Sequence, residues 1–382
     1  MTAHRHVTFT RLDPPHQPAI DAVRGYADPF GDGTERRYEC GTWTSPVLRP
    51  GFAVTSVVAS WGARTPGTAW IEFAARGRPD GAAWSPWLVL GRWADSDAEI
   101  HPTTVPDQAF HGGGVATEEV RIEADRAWDE LQLQVTLLRR EGSVDSAVLD
   151  SLGVLTSAVD RGADAVVPPT STGSLTGGHV LDVPAYSQQV HRNTYSQYDN
   201  GGQSWCSPTA VSMVLAYWQR LPTAADYAWV DPDVPDRMVP HAARGCFDAA
   251  YAGAGNWSFN VAFAARHGLS AFVTRLRDLT EAEDFVAAGI PLVLSVAHHS
   301  GELDGAGYET NGHLLVVSGF TPAGDVVVDD PASHGVASNA EVRTTYRRDQ
   351  LERVWLRASG GLSYVIHPPD VRLPAAPPEP NW

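Results

Sequence analysis

The sequence predicts an all-β sandwich with a jelly-roll-like strand pattern, followed by an α+β domain. From Tyr38 to about Ala158, short runs of alternating apolar and polar residues are divided by turn residues, as in Ala69–Ala75 and Leu131–Leu137. This period of two is typical of half-buried strands. After Val180 the helical patterns come first and mostly strand-like runs follow. That order indicates an α+β domain.

Composition and turn residues divide the 382-residue chain into five parts, of which two are long enough to be domains. Residues 1–35 are polar and are predicted to form a loosely attached arm, and residues 36–160 hold the β-sandwich. The segment 161–179, rich in Pro, Gly, Ser and Thr, is the clearest linker. The α+β domain spans 180–368. A Pro-rich tail, 369–382, is expected to be flexible or to lie along the surface.

The charge balance limits the classes of partner. Lysines and arginines number 28 and acidic residues 45, which leaves a formal net charge of −17. Such a surface repels nucleic acid and anionic membranes, so neither is expected as a partner. No run of 18 apolar residues exists, so no membrane insertion is predicted. Met1 to Arg11 contains no apolar core of a signal peptide, which favours the cytoplasm, with secretion as the alternative.

Tryptophans are concentrated in the predicted β-sandwich. Exposed aromatic side chains could stack on sugar rings, so the domain could contact glycans or the cell wall. Burial in the core is the interpretation that the pattern favours. The seven residues are Trp43, Trp61, Trp70, Trp84, Trp87, Trp93 and Trp128.

The chain contains three cysteines, too few for a disulfide framework. Cys40 and Cys246 could pair with each other, which would leave Cys206 free. Three histidines could suggest a metal site, but they lack the fixed helical spacing of ligand pairs, so such a site is not favoured. No cofactor or metal is therefore expected. The three histidines are His298, His299 and His334.

Cys206 lies in the stretch from Gly201 to Trp218, where a glycine pair leads into residues that begin a helix. Pro208 suits the first helical turn, and Ser207 is a suitable cap. Apolar residues then recur at the spacing of one helix face. Cys206 is therefore expected at or just before a helix N-terminus, where the positive end of the dipole favours thiolate over thiol.

A cysteine nucleophile needs a base and a group that orients the base. His313 follows Gly312 and opens an apolar run, so it is predicted to begin a buried strand at a sheet edge that a cleft can reach. A hairpin would return Asp329 and Asp330, at the end of the next strand, beside the start of the His313 strand. Adjacent strand residues point to opposite faces, so only one acid can face the imidazole, and the pattern does not choose between them.

An acyl-transfer site also needs donors for an oxyanion. Cys206 can offer its own backbone N–H at the helix start. A side-chain amide would complete the pair, and four glutamines precede the cysteine: Gln188, Gln189, Gln197 and Gln203.

The order of Cys, Gly-His opening a strand, and Asp-Pro after the next strand resembles the papain-like cysteine peptidases. It is most similar to the bacteriocin-processing, or double-glycine leader, peptidase family and its stand-alone relatives in high-GC Gram-positive bacteria. The resemblance covers residues 180–368. The matching pieces are Val183-Pro-Ala-Tyr-Ser-Gln188, Trp205-Cys-Ser-Pro-Thr209, Gly312-His-Leu-Leu-Val-Val-Ser-Gly319 and Val328-Asp-Asp-Pro331.

The resemblance implies a papain-like fold and a role for each matched residue. Cys206 would be the nucleophile and His313 the general base and later acid. Asp330, directly before proline, would orient His313, and Gln188 would be the oxyanion glutamine. Ser207 stands where the family usually has glycine. Gln188 is further from the cysteine than usual, which leaves Gln203 as a rival.

These residues predict a cysteine peptidase that hydrolyses peptide bonds through a Cys-His-Asp triad and an acyl-enzyme. The partner would be a peptide or protein substrate. The chain lacks anything like the transporter domains of leader-processing members, so a bacteriocin leader is not the expected substrate. Two alternatives remain: an acyl or peptidyl transferase with the same triad, and a catalytically idle protein- or glycan-binding module.

Overall fold

The structure, a computed structural model, describes residues 5–382 and contains a region built mainly of β-strands followed by a mixed region. The first, here called the β region, has two antiparallel sheets. One sheet has the order β1-β11-β4-β9-β8-β7 and the other β2-β3-β10-β5-β6. The strands are β1 (His6–Leu12), β2 (Ala22–Ala27), β3 (Glu35–Thr44), β4 (Ser56–Arg64), β5 (Trp70–Arg78), β6 (Leu88–Trp93), β7 (Ala109–Phe110), β8 (Gly113–Ala116), β9 (Glu119–Ile122), β10 (Glu130–Arg140) and β11 (Val148–Ala158).

An apolar core lies between the two sheets. Trp61 of β4 stacks on Phe73 of β5 with ring centroids 4.0 Å apart. Along β5 and β10 the side chains alternate across the pleat, which is why those two strands could be predicted from their sequence. Trp61, Trp70, Trp93 and Trp128 are fully buried, and Trp43, Trp84 and Trp87 are half-buried. The Arg76 guanidinium lies over the rings of Trp84 and Trp87, at 4.7 and 4.4 Å.

The predicted polar arm over residues 1–35 is wrong for most of its length. Strand β1 pairs with β11, and β2 pairs with β3. Val7 and Phe9 of β1 are buried because their side chains point into the core that the β region shares with the rest of the chain. The alternation that places them there contains only these two apolar residues and is flanked by polar ones. Residues 1–4 of the arm lie outside the described residues.

The second region, here called the α+β region, is built on one larger sheet with the order β13-β18-β14-β15-β16-β17 and with β12 paired to β15. Its strands are β12 (His179–Val180), β13 (Ser270–Arg275), β14 (Leu292–His298), β15 (Thr310–Phe320), β16 (Val326–Asp329), β17 (Arg343–Tyr346) and β18 (Leu362–His367). Its helices are α1 (Cys206–Tyr217), α2 (Met238–Gly245), α3 (Trp257–Arg266), α4 (Leu279–Ala287) and α5 (Arg348–Ser359). Asn256 and Asp278 cap α3 and α4 through their side chains.

Strand β4 joins the two regions because both of its faces are buried. Val57 packs into the core between the sheets of the β region, while its neighbour Val58 packs into the core of the α+β region. Between the regions, the Ser60 hydroxyl accepts a hydrogen bond from the Val273 N–H at 2.9 Å, and the Ser258 hydroxyl donates to a β4 carbonyl. The two regions therefore share a continuous interior.

The predicted linker and tail are both fastened to the α+β region. Glu283 accepts hydrogen bonds from the backbone and hydroxyl of Ser174 at 2.6 and 2.7 Å, and Glu352 accepts from the N–H of Ser171. In the tail, Asn381 is fully buried and donates to the Arg275 carbonyl at 2.8 Å. The end of the tail therefore does not lie freely on the surface, because hydrogen bonds to the backbone hold it between elements of the α+β region.

All three cysteines are free thiols. Cys40 is buried in the β region and Cys246 in the α+β region, in separate apolar clusters, so the pairing that the sequence left open is not formed. Among residues 5–382, no helix combines the length and apolar character needed to cross a bilayer.

Candidate active site

Cys206 is the first residue of α1, directly after Trp205, which stands at the N-cap with no side-chain hydrogen bond. Ser207 does not cap the helix. It is buried inside the first turn, where its hydroxyl lies 3.0 Å from the Tyr364 hydroxyl. The first N–H groups of a helix have no intrahelical acceptor and carry the positive end of the dipole. The thiol of Cys206 therefore sits where negative charge is stabilised, and it is partly exposed.

His313 and Asp330 meet at the open end of a hairpin formed by two paired strands, away from its turn. His313 lies near the start of β15, and Asp330 follows the last residue of β16. The predicted hairpin is formed, and it brings the His313 Nε2 to 2.8 Å from the Asp330 Oδ1. Only 4% of His313 and 1% of Asp330 are exposed. Such a buried, short contact is a charge-assisted hydrogen bond of the strong kind.

The two neighbouring acids point in opposite directions, as strand geometry requires. Asp329 is fully buried on the other face and accepts hydrogen bonds from Arg343 at 2.9 and 3.2 Å. Asp330 alone reaches the imidazole. The structure thus resolves the choice that the alternation of side chains left open.

Two tyrosines that the sequence reasoning missed complete the surroundings of Asp330. The hydroxyls of Tyr308 and Tyr346 each donate to the Asp330 Oδ2 at 2.7 Å. The Ala332 N–H donates to Oδ1 at 2.9 Å. A buried carboxylate needs donors for both oxygens, so such partners were required. Their positions follow no motif, and the sequence carries no signal that would have identified them.

The charges of this group follow from its surroundings. Burial opposes the charged form of His313, but the Asp330 carboxylate and the Cys206 side chain raise the pKa of His313 to about 10. Burial likewise opposes ionisation of Asp330, yet His313 and the two phenols lower the pKa of Asp330 to about 2. At neutral pH the pair is imidazolium and carboxylate. Since Nε2 binds Asp330, Nδ1 is the ring nitrogen left for the thiol.

Both candidate glutamines line the cavity, but their side-chain amides are held differently. Gln188 is buried, lines the same cavity as Cys206 and His313, and donates from Nε2 to the Gln203 carbonyl at 2.9 Å. Its Nε2 carries a second hydrogen, since an amide nitrogen has two. The Gln203 amide is occupied locally: it accepts from the Asn193 N–H at 3.0 Å and donates to the Asn200 carbonyl at 2.6 Å. Gln203 therefore fastens a loop. Gln189 also lines the cavity.

One cavity of about 770 Å³ brings these side chains together. Cys206 from α1, His313 from β15, Gln188 and Tyr308 all line it. The histidines considered as metal ligands are dispersed. His298 is buried edge-on against Tyr308, and the His334 ring lies against the Ala306 carbonyl. Within the described residues, no group of three His, Cys, Asp or Glu side chains has metal-binding geometry.

A helix-tip thiol in the same cavity as a histidine that bonds to a buried carboxylate provides the groups that thiol-dependent acyl transfer uses. Residues 6–157 match the family described as the peptidase C39 N-terminal domain, and residues 180–363 match the peptidase C39-like family. The two matches confirm the resemblance to this peptidase family that the sequence predicted. That family supports a cysteine peptidase as the general class of function.

Among solved structures, the chain is similar to a Bacillus anthracis protein described as C39-like peptidase. The two share 15% sequence identity with a TM-score of 0.32, over 49% of this chain and 96% of the other. No curated protein matches the sequence.

Proposed function

We propose that the protein hydrolyses peptide bonds through a papain-like Cys-His-Asp mechanism. Cys206 is the nucleophile, His313 moves the proton, and Asp330 positions the imidazole. The Cys206 N–H and the Gln188 side-chain amide are the oxyanion donors. The observation that carries the proposal is the single cavity in which a thiol at a helix N-terminus and an imidazolium held by a buried carboxylate both lie.

In the first half of the reaction, the Cys206 thiolate attacks the carbonyl carbon of the scissile bond. The carbonyl oxygen becomes an oxyanion, and donors aimed at that position stabilise it. The C–N bond then breaks while His313 gives its Nδ1 proton to the departing amine. This leaves a thioester on Cys206 and a neutral imidazole.

In the second half, neutral His313 takes a proton from water, and the water oxygen attacks the thioester carbon. The C–S bond breaks, the acid product leaves, and the thiolate–imidazolium pair is restored. Asp330 does not exchange protons in this sequence, because its pKa of about 2 keeps it ionised. Its role is to fix the ring orientation and stabilise the positive charge.

Two assays test the proposal. Peptides from a digested proteome are incubated with the wild type, and new termini are identified by mass spectrometry. In parallel, native protein is treated with iodoacetamide. We expect one alkylated residue, Cys206, because Cys40 and Cys246 are buried. Cys206→Ala should abolish both hydrolysis and labelling, and full hydrolysis by that variant would refute the mechanism.

The same assay separates hydrolysis from transfer. An acyl-enzyme can be captured by an amine instead of water, so an added amine acceptor is included in a parallel incubation. Acid products in the presence of the amine indicate a peptidase. Amide products as the dominant species would replace this proposal with the transferase alternative.

A further inference from the structure

Part of the cavity wall comes from residues outside the segment that matches the C39-like family, in or next to the β region. Glu118 precedes β9, Arg121 lies within β9, and Arg161 follows β11. All three line the cavity that contains Cys206 and His313. The β region is thus part of the site at which a substrate would bind.

Glu119, also in β9, holds the two arginines in place. Its carboxylate is 2.9 Å from the Arg121 Nε and 2.7 Å from the Arg161 Nη2. A third guanidinium, that of Arg275 in β13, reaches the same carboxylate at 2.9 Å. Burial would raise the pKa of Glu119, but Arg275 and Arg161 lower it to about 2, so it is ionised.

This cluster carries more positive than negative charge. Three guanidinium groups surround one carboxylate, a surplus of two positive charges (three minus one). Burial raises the pKa of neighbouring Glu118 to about 8, so this cavity-lining acid is mostly uncharged at neutral pH and does not cancel the surplus. The Arg275 guanidinium is inaccessible, with none of its side chain exposed.

The surplus charge therefore faces the cavity through Arg121 and Arg161. The side chain of Arg121 is 60% exposed and that of Arg161 is 19% exposed. Arg121 donates a hydrogen bond from its Nε to Glu119, so its two terminal amino groups can donate to another acceptor. A guanidinium fork of this kind matches the two oxygens of a carboxylate.

We propose that Arg121 and Arg161 form a carboxylate-binding subsite, so that the preferred substrates are peptides with a carboxylate on the segment that enters this side of the cavity. The proposal rests on the proposed function, since it places the subsite beside the Cys206 nucleophile. The carboxylate belongs either to a peptide C-terminus or to an acidic side chain. The two guanidinium groups would bind a carboxylate from either source, because the chemical group that they recognise is the same.

The experiment uses full-length protein and two matched pairs of small alkylating probes. Bromoacetyl-Gly-Gly is compared with its C-terminal amide, and bromoacetyl-Asp-amide with bromoacetyl-Asn-amide. In each reaction the Cys206 sulfur displaces bromide, so a C–S bond forms as the C–Br bond breaks. The second-order rate is followed by intact mass, and each ratio is normalised to that for free 2-mercaptoethanol. The first pair reports a C-terminal carboxylate and the second a side-chain carboxylate.

We expect the carboxylate probe of at least one pair to react about tenfold faster than its amide, the low end for a hydrogen bond to a charged group. Arg121→Gln and Arg161→Gln should each bring that ratio towards one. Arg192→Gln is the matched control, because it removes the same charge from another cavity-lining residue that does not contact Glu119. It should leave the ratio within about twofold.

Equal rates for both members of both wild-type pairs would overturn the subsite. So would a preference that survives in Arg121→Gln and Arg161→Gln, or one that disappears only in Arg192→Gln. Each of these results leaves Cys206 reactive and the proposed function intact. If no probe alkylates native Cys206 while unfolded protein reacts, the nucleophile itself fails, and the subsite fails with it.

Discussion

Glu119 of the β region and Arg275 of the α+β region form a fully buried ion pair, 2.9 Å apart, with 1% and 0% of their side chains exposed. Arg275 also donates to the Ser157 hydroxyl at 2.9 Å and to the Ser359 carbonyl at 3.0 Å. The pair thus ties strand β9, strand β11 and the end of α5 into one network. A buried pair of this kind is costly to break from one side, because the remaining charge has no partner.

Glu119→Gln should therefore lower the free energy of unfolding by about 3–5 kcal/mol, since it leaves three guanidinium groups around a neutral amide. Urea unfolding followed by circular dichroism measures this. Glu141→Gln, which breaks the solvent-exposed pair with Arg37, should change the midpoint little. A Glu119→Gln variant as stable as wild type would contradict the structural role of the cluster.

Asp330→Asn should lower kcat/KM by about 10²–10⁴-fold, because the imidazole loses both its orientation and the charge that stabilises it. The pKa of His313, about 10 in the wild type, should fall towards its ordinary 6.5. The alkaline limb of the pH–rate profile should then move to lower pH. In the wild type, the raised pKa adds stability that is complete below pH 6.5 and is lost as pH rises through 10.

Asp329→Asn is the matched control for that variant. It removes the adjacent acid, which binds Arg343 and not His313. We expect a loss of stability from the unpaired arginine but an unchanged alkaline limb in the pH–rate profile. If both variants shifted the limb equally, the assignment of Asp330 would be wrong.

Tyr346→Phe should lower the free energy of unfolding by about 1.5–3 kcal/mol, the range for a hydrogen bond to a charged group. Tyr346 is fully buried, so water cannot replace the lost donor. Because that hydrogen bond lowers the pKa of Asp330, the variant's Asp330 should titrate at higher pH. The depressed pKa adds stability above pH 3.8 that is lost as pH falls towards 2, so the variant should unfold at a higher pH during acid titration.

Tyr308→Phe removes the second phenol at the same carboxylate oxygen and provides the comparison. Tyr308 lines the cavity and is less buried than Tyr346. Its effect on stability should be smaller than that of Tyr346→Phe. The reverse order in thermal unfolding would argue against this account of the Asp330 surroundings.

Gln188→Ala should reduce kcat by about 10²–10³-fold with a smaller change in KM, since an oxyanion donor acts mainly in the transition state. Gln203→Ala should leave kcat close to the wild-type value and affect only loop stability. Steady-state kinetics on one peptide substrate measures both variants. A large kcat loss in Gln203→Ala alone would transfer the oxyanion role to that residue.

The sequence predicted the elements whose side chains obey a single periodicity. Strands β5 and β10 alternate, and the helix start at Cys206 follows a local pattern, so these positions are confirmed. Strand β15 begins at Thr310, three residues before the predicted start at His313, and His313 is its first buried residue. Strand β4 has no alternation, because opposite faces enter two different cores. The choice between Asp329 and Asp330 was available only from the resemblance to a family.

Other features depended on contacts between distant parts of the chain. Tyr346 reaches Asp330 from the end of β17, and Arg275 reaches Glu119 from a different sheet. No local spacing encodes either contact. For the same reason the N-terminal strand β1 was predicted as an arm: its partner β11 lies more than a hundred residues later in the chain.

Both faces of β4 are buried, so separating the two regions of the chain would expose apolar surface. A fragment starting near residue 180 would keep Cys206, His313 and Asp330 but would expose the apolar surface of β13 and α3 that β4 covers. Uncovered surface of that kind promotes aggregation. We therefore expect the α+β region to need the β region in order to fold without aggregating.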